Sequence, residues 1–290
     1  MKPNLMVFTN GFEGTWPAIE FGAWIAQKMG THLTLTGVVE AGDEQHPVED
    51  IFSRAVSLFQ ESKLDYSLEL ENGSVEEIIR NRSDMQKAPE PNNEPEHILC
   101  LGPFGRPQVR RLIIGNSFRR LMSIVSIPIL YIPSLHVPIK KMLICMGGLG
   151  YTFTAEQIGL NVARMNQASV TLLTVVPPVD LDYPVARKIR DNWKNLAESD
   201  TLPGQSLREG LKKAREAGLD ARVKIRHGKI VEQILAEVKE GDYELLCMGS
   251  QFSAHGLRQI YTPNITADVA EISQCPILTV RYLGPQNRHA

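Results

Sequence analysis

Gly102, Gly105 and Gly115 lie between an apolar run, His97-Ile98-Leu99-Cys100, and a helical pattern that begins at Phe118. Glycines let a backbone approach a ligand closely and adopt positive φ. Asn116 and Ser117 follow the last glycine. The first N–H groups of a helix, together with its dipole, favour an anion. Such a segment can seat a phosphate chain on backbone amides without a lysine. Asn116 is also among the best helix caps, and its amide can donate to a phosphate oxygen. Arg106, Arg110, Arg111, Arg119 and Arg120 surround the segment. A run of this kind is usually a solvated helix face, but beside a phosphate seat it raises anion affinity.

The elements that must position this loop occur twice. EPEHILCLGPFG matches GDYELLCMGSQF, with Cys100 and Gly102 against Cys247 and Gly249. SIPILYI matches QCPILTV, and LENGSVEEII matches IRHGKIVEQI. The opening LMVFTNGFEGT is echoed by MLICMGGLGYT in the middle of the chain. Two copies of one unit explain all four matches. The joint lies near Pro133–Lys141, so the expected domains are residues 1–134 and 140–284.

Each copy alternates strand and helix. The first reads as a strand at 5–9, a helix at 18–29, a strand at 33–39, a helix at 51–62 and a strand at 66–70. A short helix follows from 75, then a strand at 98–101, the glycine loop, a helix near 118–126 and a last strand at 129–132. The second repeats this order from Met142 to Arg281. Ser74-Val75-Glu76-Glu77 and Thr154-Ala155-Glu156-Gln157 read as capping boxes, and Gly241 reads as a helix stop. Alternation of this kind predicts right-handed crossovers and a mostly parallel sheet covered on both faces. Residues 83–96 and 177–206 are insertions of one copy relative to the other, read as decoration first and as a lid over a pocket second.

Composition narrows the function classes. The 290 residues are 43% apolar and 22% charged, enough for real cores. Lys+Arg number 31 against Asp+Glu 33, a net charge of -2, which points away from nucleic acid and acidic membranes. No apolar stretch approaches the ~20 residues of a membrane span; Leu121–Ile132 is broken by Pro128. No secretory leader is visible, since Lys2 precedes only a short apolar run. Cys100, Cys145, Cys247 and Cys275 form no CxxC pair and read as buried free thiols of a cytoplasmic protein. There is no Walker motif, no GxGxxG in strand-to-helix context and no GxSxG elbow. His255 has no acidic orienter near it in sequence, so no triad is expected there. Asp180 and Asp182 read as solvated loop carboxylates.

The spacing Gly-x2-Gly-x9-Gly, set between a strand and a helix and followed by a strand with proline in its lead-in, resembles the signature of the universal stress protein family. The βα order of both halves and the Val-Val ends of the second strands (Val38-Val39, Val175-Val176) fit the same family. The resemblance implies two tandem open-sheet, mostly parallel five-stranded α/β sandwiches of the adenine nucleotide alpha hydrolase type. It also implies contact through the last strands. In ATP-binding members the loop glycines and a following Ser or Thr hold phosphates. An Asp ending the first strand holds the nucleoside, and the backbone near the end of the second strand meets the adenine.

Carried onto the first half, the nucleotide-binding set becomes Asn10, Gly11, Val38, Gly102, Gly105, Gly115, Asn116 and Ser117, with ATP as the ligand and Mg only as its companion. Asn10 stands where the family has Asp and lacks its charge. Asn116 stands where it has Ser or Thr. The second half departs further. Phe252 is near the second glycine position, Pro263-Asn264 replaces the last pair, and the Asp position reads Gly147. Proline offers no N–H and cannot take positive φ. Another ligand there would use Gly147-Gly148-Leu149-Gly150 and His255. Two readings stay open: a stress-response module binding ATP or a related nucleotide in its first half, or an interaction protein with both sites decayed. Neither makes it a true catalyst, and weak nucleotide hydrolysis ranks last. A homodimer or a regulatory protein partner is expected in either case.

Overall fold

The computed structural model describes residues 2–40, 47–86, 95–105, 117–147, 153–178, 193–251 and 264–282. It divides into two compact units, Met1–Val137 and Pro138–Ala290.

In the first unit the strands are β1 (Asn4–Thr9), β2 (Leu33–Val39), β3 (Tyr66–Asn72), β4 (His97–Leu101) and β5 (Ile129–Tyr131). Their order across the sheet is β3-β2-β1-β4-β5, and each adjacent pair is parallel. Among the described residues four helices connect them: α1 (Trp16–Met29), α2 (Val48–Glu61), α3 (Val75–Asp84) and α4 (Ser117–Ile124). β1 is central and apolar along its length, with Leu5, Val7 and Phe8 fully buried, as expected of a strand covered on both faces. α1 opens with Pro17 in its first turn and ends at Gly30, in the left-handed region at φ +58°. α2 buries Ile51, Ala55 and Phe59 from one stripe.

The second unit repeats the plan. Its strands are β6 (Lys141–Cys145), β7 (Ser169–Val176), β8 (Ala221–His227), β9 (Leu245–Gln251) and β10 (Ile277–Tyr282), in the order β10-β9-β6-β7-β8 and again parallel. The helices are α5 (Phe153–Asn166), α6 (Leu202–Glu216), α7 (Ile230–Gly241) and α8 (Ile265–Ile272). The registers superimpose. Leu5 pairs with Leu33 and Ile98, while Met142 pairs with Val170 and Leu245. Asn10 therefore corresponds to Gly147, and Gly102 to Gly249.

Three local expectations are corrected. Ser74 does cap α3 by position, but its hydroxyl donates to Glu76 Oε2 (3.1 Å) instead of closing a box with the backbone. Thr154 lies inside α5, which already begins at Phe153. α7 runs through Gly241, and its left-handed stop is Asp242 at φ +53°; Asp tolerates that region through its short polar side chain. In the 177–206 insertion, a 3-10 segment (Trp193–Glu198) leads into α6, which starts at Leu202 under a Thr201 cap. All four thiols are free. Burial pushes those of Cys100, Cys145 and Cys275 up to about 12, and that of Cys247 higher still, so they are inert packing groups. Among the described residues no helix is long and apolar enough to cross a membrane.

Candidate functional site

Open parallel sheets bind ligands beyond the carboxyl ends of their strands. In the first unit that edge is formed by the ends of β1 and β4. Gly115 and Asn116 lie outside the described residues, as do Arg106, Arg110 and Arg111, and Ser117 is the first residue of α4. Asn10, Gly11, Gly102 and Gly105 are brought together at the edge. Val38 is near the end of β2, with its side chain buried in the core.

The loop after β1 is held by its own polar groups. Thr9 Oγ1 and Thr15 Oγ1 lie 2.6 Å apart, and both residues are fully buried. Gly11, at φ +81°, donates its N–H to Thr9 Oγ1 (3.1 Å). Thr15 Oγ1 donates to the Phe12 carbonyl (2.7 Å). Asn10 is 3% exposed, and its amide is already engaged. Its Nδ2 donates to the Phe104 carbonyl (3.2 Å), and its Oδ1 accepts from the Phe12 N–H (3.4 Å). A buried amide with both ends satisfied gains little by turning to a ligand.

The two loops meet at van der Waals contact. A Cβ on Gly102 would lie 2.8 Å from Thr15 Cα and 2.9 Å from the Gly14 carbonyl. Gly102 therefore serves close approach of one loop to the other. Gly105 takes φ +45°, and a Cβ there would lie 2.3 Å from the Phe12 ring. The ring also lies against Gly14, where a Cβ would be 2.3 Å from Phe12 Cε1. Phe104 is buried beside it. On the outer side, Arg54 of α2 reaches Glu13 (2.5 Å) and lies 4.0 Å over the Trp16 ring, tying α2 to the turn that carries Phe12. This cation–π and ion-pair clamp steadies the turn.

The residue that sequence reasoning missed is Phe12. Its signal was present: an aromatic in NGFEGT between two glycines, facing a third glycine across the sheet edge. The slot and the ring become visible as a pair only when residues 12 and 105 are brought together.

In the second unit Met146 follows β6, its carbonyl accepting from Thr174 Oγ1 (2.9 Å), and Gly147 is exposed. Gly148, Leu149, Gly150, Phe252, His255 and Pro263 lie outside the described residues, as do Asp180 and Asp182. Asn264 caps α8, accepting from the Ala267 N–H (3.1 Å), and Thr266 Oγ1 donates to the Gly249 carbonyl (3.1 Å). Near this edge Glu156 is buried, with Lys213 Nζ at 3.3 Å; Lys213 itself sits 4.2 Å over the Phe153 ring. Burial pushes the Glu156 carboxyl up, and Lys213 offsets part of that. Among the described residues no group of three or more His, Cys, Asp or Glu is placed to hold a metal ion.

Comparison with known proteins agrees with this architecture. The model of the universal stress protein family matches residues 138–281. The universal stress protein YxiE of Bacillus subtilis (strain 168) is 26% identical over 149 residues, covering 49% of this chain and 99% of that protein. The crystal structure of a universal stress protein from Archaeoglobus fulgidus DSM 4304 aligns over 97% of this chain and 99% of its own, with a TM-score of 0.65 at 14% identity. A Pseudomonas aeruginosa UCBPP-PA14 structure aligns over 96% of this chain and 92% of its own, with a TM-score of 0.63 at 14% identity. The structural likenesses concern the fold, and the family match lies on the second unit: the chain belongs to the universal stress protein family.

Proposed function

We propose that the protein is a stress-response module that acts through contacts with another protein, a regulatory partner or a second copy, and that the carboxyl-edge cleft of its first unit is closed to nucleotide. The observation that carries this reading is the Phe12 ring against Gly105, with the Asn10 amide spent on the Phe104 carbonyl. A phosphate chain seated on the amides near Gly105 would have to displace that ring, and a nucleoside hydroxyl would have to break both Asn10 bonds. Calorimetric titration of the full chain with ATP, ADP and cyclic AMP tests the reading. No saturable heat is expected up to millimolar ligand, while a defined partner is retained in a pull-down under the same conditions.

A second reading keeps ATP, with Mg as its counter-ion, in the first unit. It is favoured by the glycine spacing and by the left-handed Gly105, a conformation suited to turning amides toward an anion. On this reading Phe12 swings out when nucleotide arrives. Phe12→Ser separates the two: it creates ATP binding where the wild type has none, or leaves an existing affinity nearly unchanged.

A further inference from the structure

The opposite, amino-terminal edge of the first unit holds a different constellation. His32 immediately precedes β2, Asp65 immediately precedes β3, and Ser67 is the second residue of β3. The parallel register sets Leu33 beside Tyr66 and Thr34 beside Ser67, and the Leu33 N–H donates to the Asp65 carbonyl (3.0 Å). That register carries His32 between the other two side chains. His32 Nδ1 lies 3.0 Å from Asp65 Oδ2, and His32 Nε2 lies 3.0 Å from Ser67 Oγ. Ser67 Oγ also donates to Thr34 Oγ1 (3.1 Å), so its hydroxyl must rotate from Thr34 to His32 before its proton can pass to the imidazole.

We propose that Ser67, His32 and Asp65 form a nucleophile, base and positioning carboxylate that hydrolyse short acyl esters. With Nδ1–H donating to Asp65, the Nε2 lone pair faces the serine hydroxyl, the tautomer that accepts its proton. Ser67 Oγ attacks the ester carbonyl carbon while its proton passes to His32 Nε2. The tetrahedral intermediate expels the alcohol, which takes that proton, and leaves an acyl ester on Ser67. Water then attacks the acyl carbon, giving its proton to His32 Nε2. Collapse releases the carboxylic acid and returns the proton to Ser67 Oγ.

The surroundings set the substrate class. Asp65 is 82% exposed and the His32 side chain 32% exposed, so the acyl group is presented from solvent. On the same face of the sheet stand Thr34, Thr36 and Glu69, the last paired with Arg82 (2.6 Å). A polar, open surface takes a short acyl group such as acetyl and gives a long fatty chain nothing to bury against.

The second unit supplies an internal contrast. At matching register it has Ser169 for His32, Asp220 for Asp65 and Arg222 for Ser67. Arg222 Nε donates to Thr171 Oγ1 (3.1 Å) where Ser67 meets Thr34. Strand-to-strand bonding survives there without a nucleophile or a base.

The test uses the full chain with p-nitrophenyl acetate, and a fluorophosphonate ester as a covalent label located by peptide mass. Ser67→Ala and His32→Ala each lower turnover by on the order of a hundredfold, the usual contribution of a positioned base, and abolish labelling. Asp65→Asn lowers kcat by on the order of tenfold with KM unchanged, as for a group that acts through the imidazole. Ser67→Cys retains a nucleophile at the same place and shows a burst of p-nitrophenol. Equal turnover in wild type and Ser67→Ala overturns the proposal. If Ser67→Ala does not fold, a wild-type label on any residue other than Ser67, or the lack of a label, overturns it equally.

Discussion

The two units anchor the same helix to the same edge strand with opposite charges. In the first, Arg82 of α3 reaches Glu69 (2.6 Å) and Glu71 on β3. In the second, Glu237 of α7 reaches Lys224 (2.6 Å) and Arg226 (2.6 Å) on β8. The three positions correspond at one constant offset, carboxylates and cations exchanged throughout. What the position demands is therefore a charge pair bridging helix and strand, whichever side supplies the cation. The environments differ as well as the signs. Arg82, Glu69 and Glu71 are each about a third exposed, whereas Glu237 is fully buried and also accepts from Tyr243 Oη (2.8 Å). The reversal also makes each helix a poor match for the other unit's edge strand, since Arg82 would meet Lys224 and Arg226, a form of discrimination by repulsion.

Substitutions at the two sites should have unequal effects. Glu237→Ala strands two cations and a phenol around a buried site and should lower the stability of the second unit by ~3 kcal/mol, the scale for removing one partner of a buried pair. Urea unfolding read on that unit checks it, and a loss near zero breaks the comparison. The same carboxylate gives a pH signature. Burial would push it up, but Lys224, Tyr243 and Arg226 together hold it below the ordinary carboxylate range. A depressed folded value means its contribution is complete above that range and is lost as pH falls through the folded value. Glu237→Gln should therefore lower stability at neutral pH and flatten the decline on acidification. Arg82→Ala, with partly hydrated partners, should cost only about 1 kcal/mol. The smallest change belongs to the triple exchange Glu69→Lys, Glu71→Arg and Arg82→Glu. It copies the second unit's polarity into the first and should restore wild-type stability to within about 1 kcal/mol; a large residual loss would show that sign, not pairing, is what β3 requires.

Much of the architecture was legible because duplication writes the strand order twice. The matches around Gly102 and Gly249, and around Pro128 and Pro276, gave parallel strands whose registers superimpose. Local chemistry was less legible. Ser74 has the residues of a capping box, but the hydroxyl found Glu76 first. Gly241 is the natural left-handed residue, yet the helix continued one step and stopped on Asp242. At the candidate site the glycine spacing was plain, and Asn10 does reach the Phe104 carbonyl, next in the chain to Gly105. Their occupation by Phe104 and Phe12 was not legible, because it rests on a contact between residues 12 and 105 that no spacing rule encodes. The His32, Asp65 and Ser67 grouping escaped for the same reason: it exists only once β2 and β3 are in register.

Closure of the carboxyl edge of the first unit by the Phe12 ring is tested most directly by calorimetric titration of ATP into the wild type and into Phe12→Ser. No saturable binding by the wild type and a measurable 1:1 isotherm for Phe12→Ser is the expected result. Micromolar, saturable binding by the wild type, unchanged in Phe12→Ser, would contradict it.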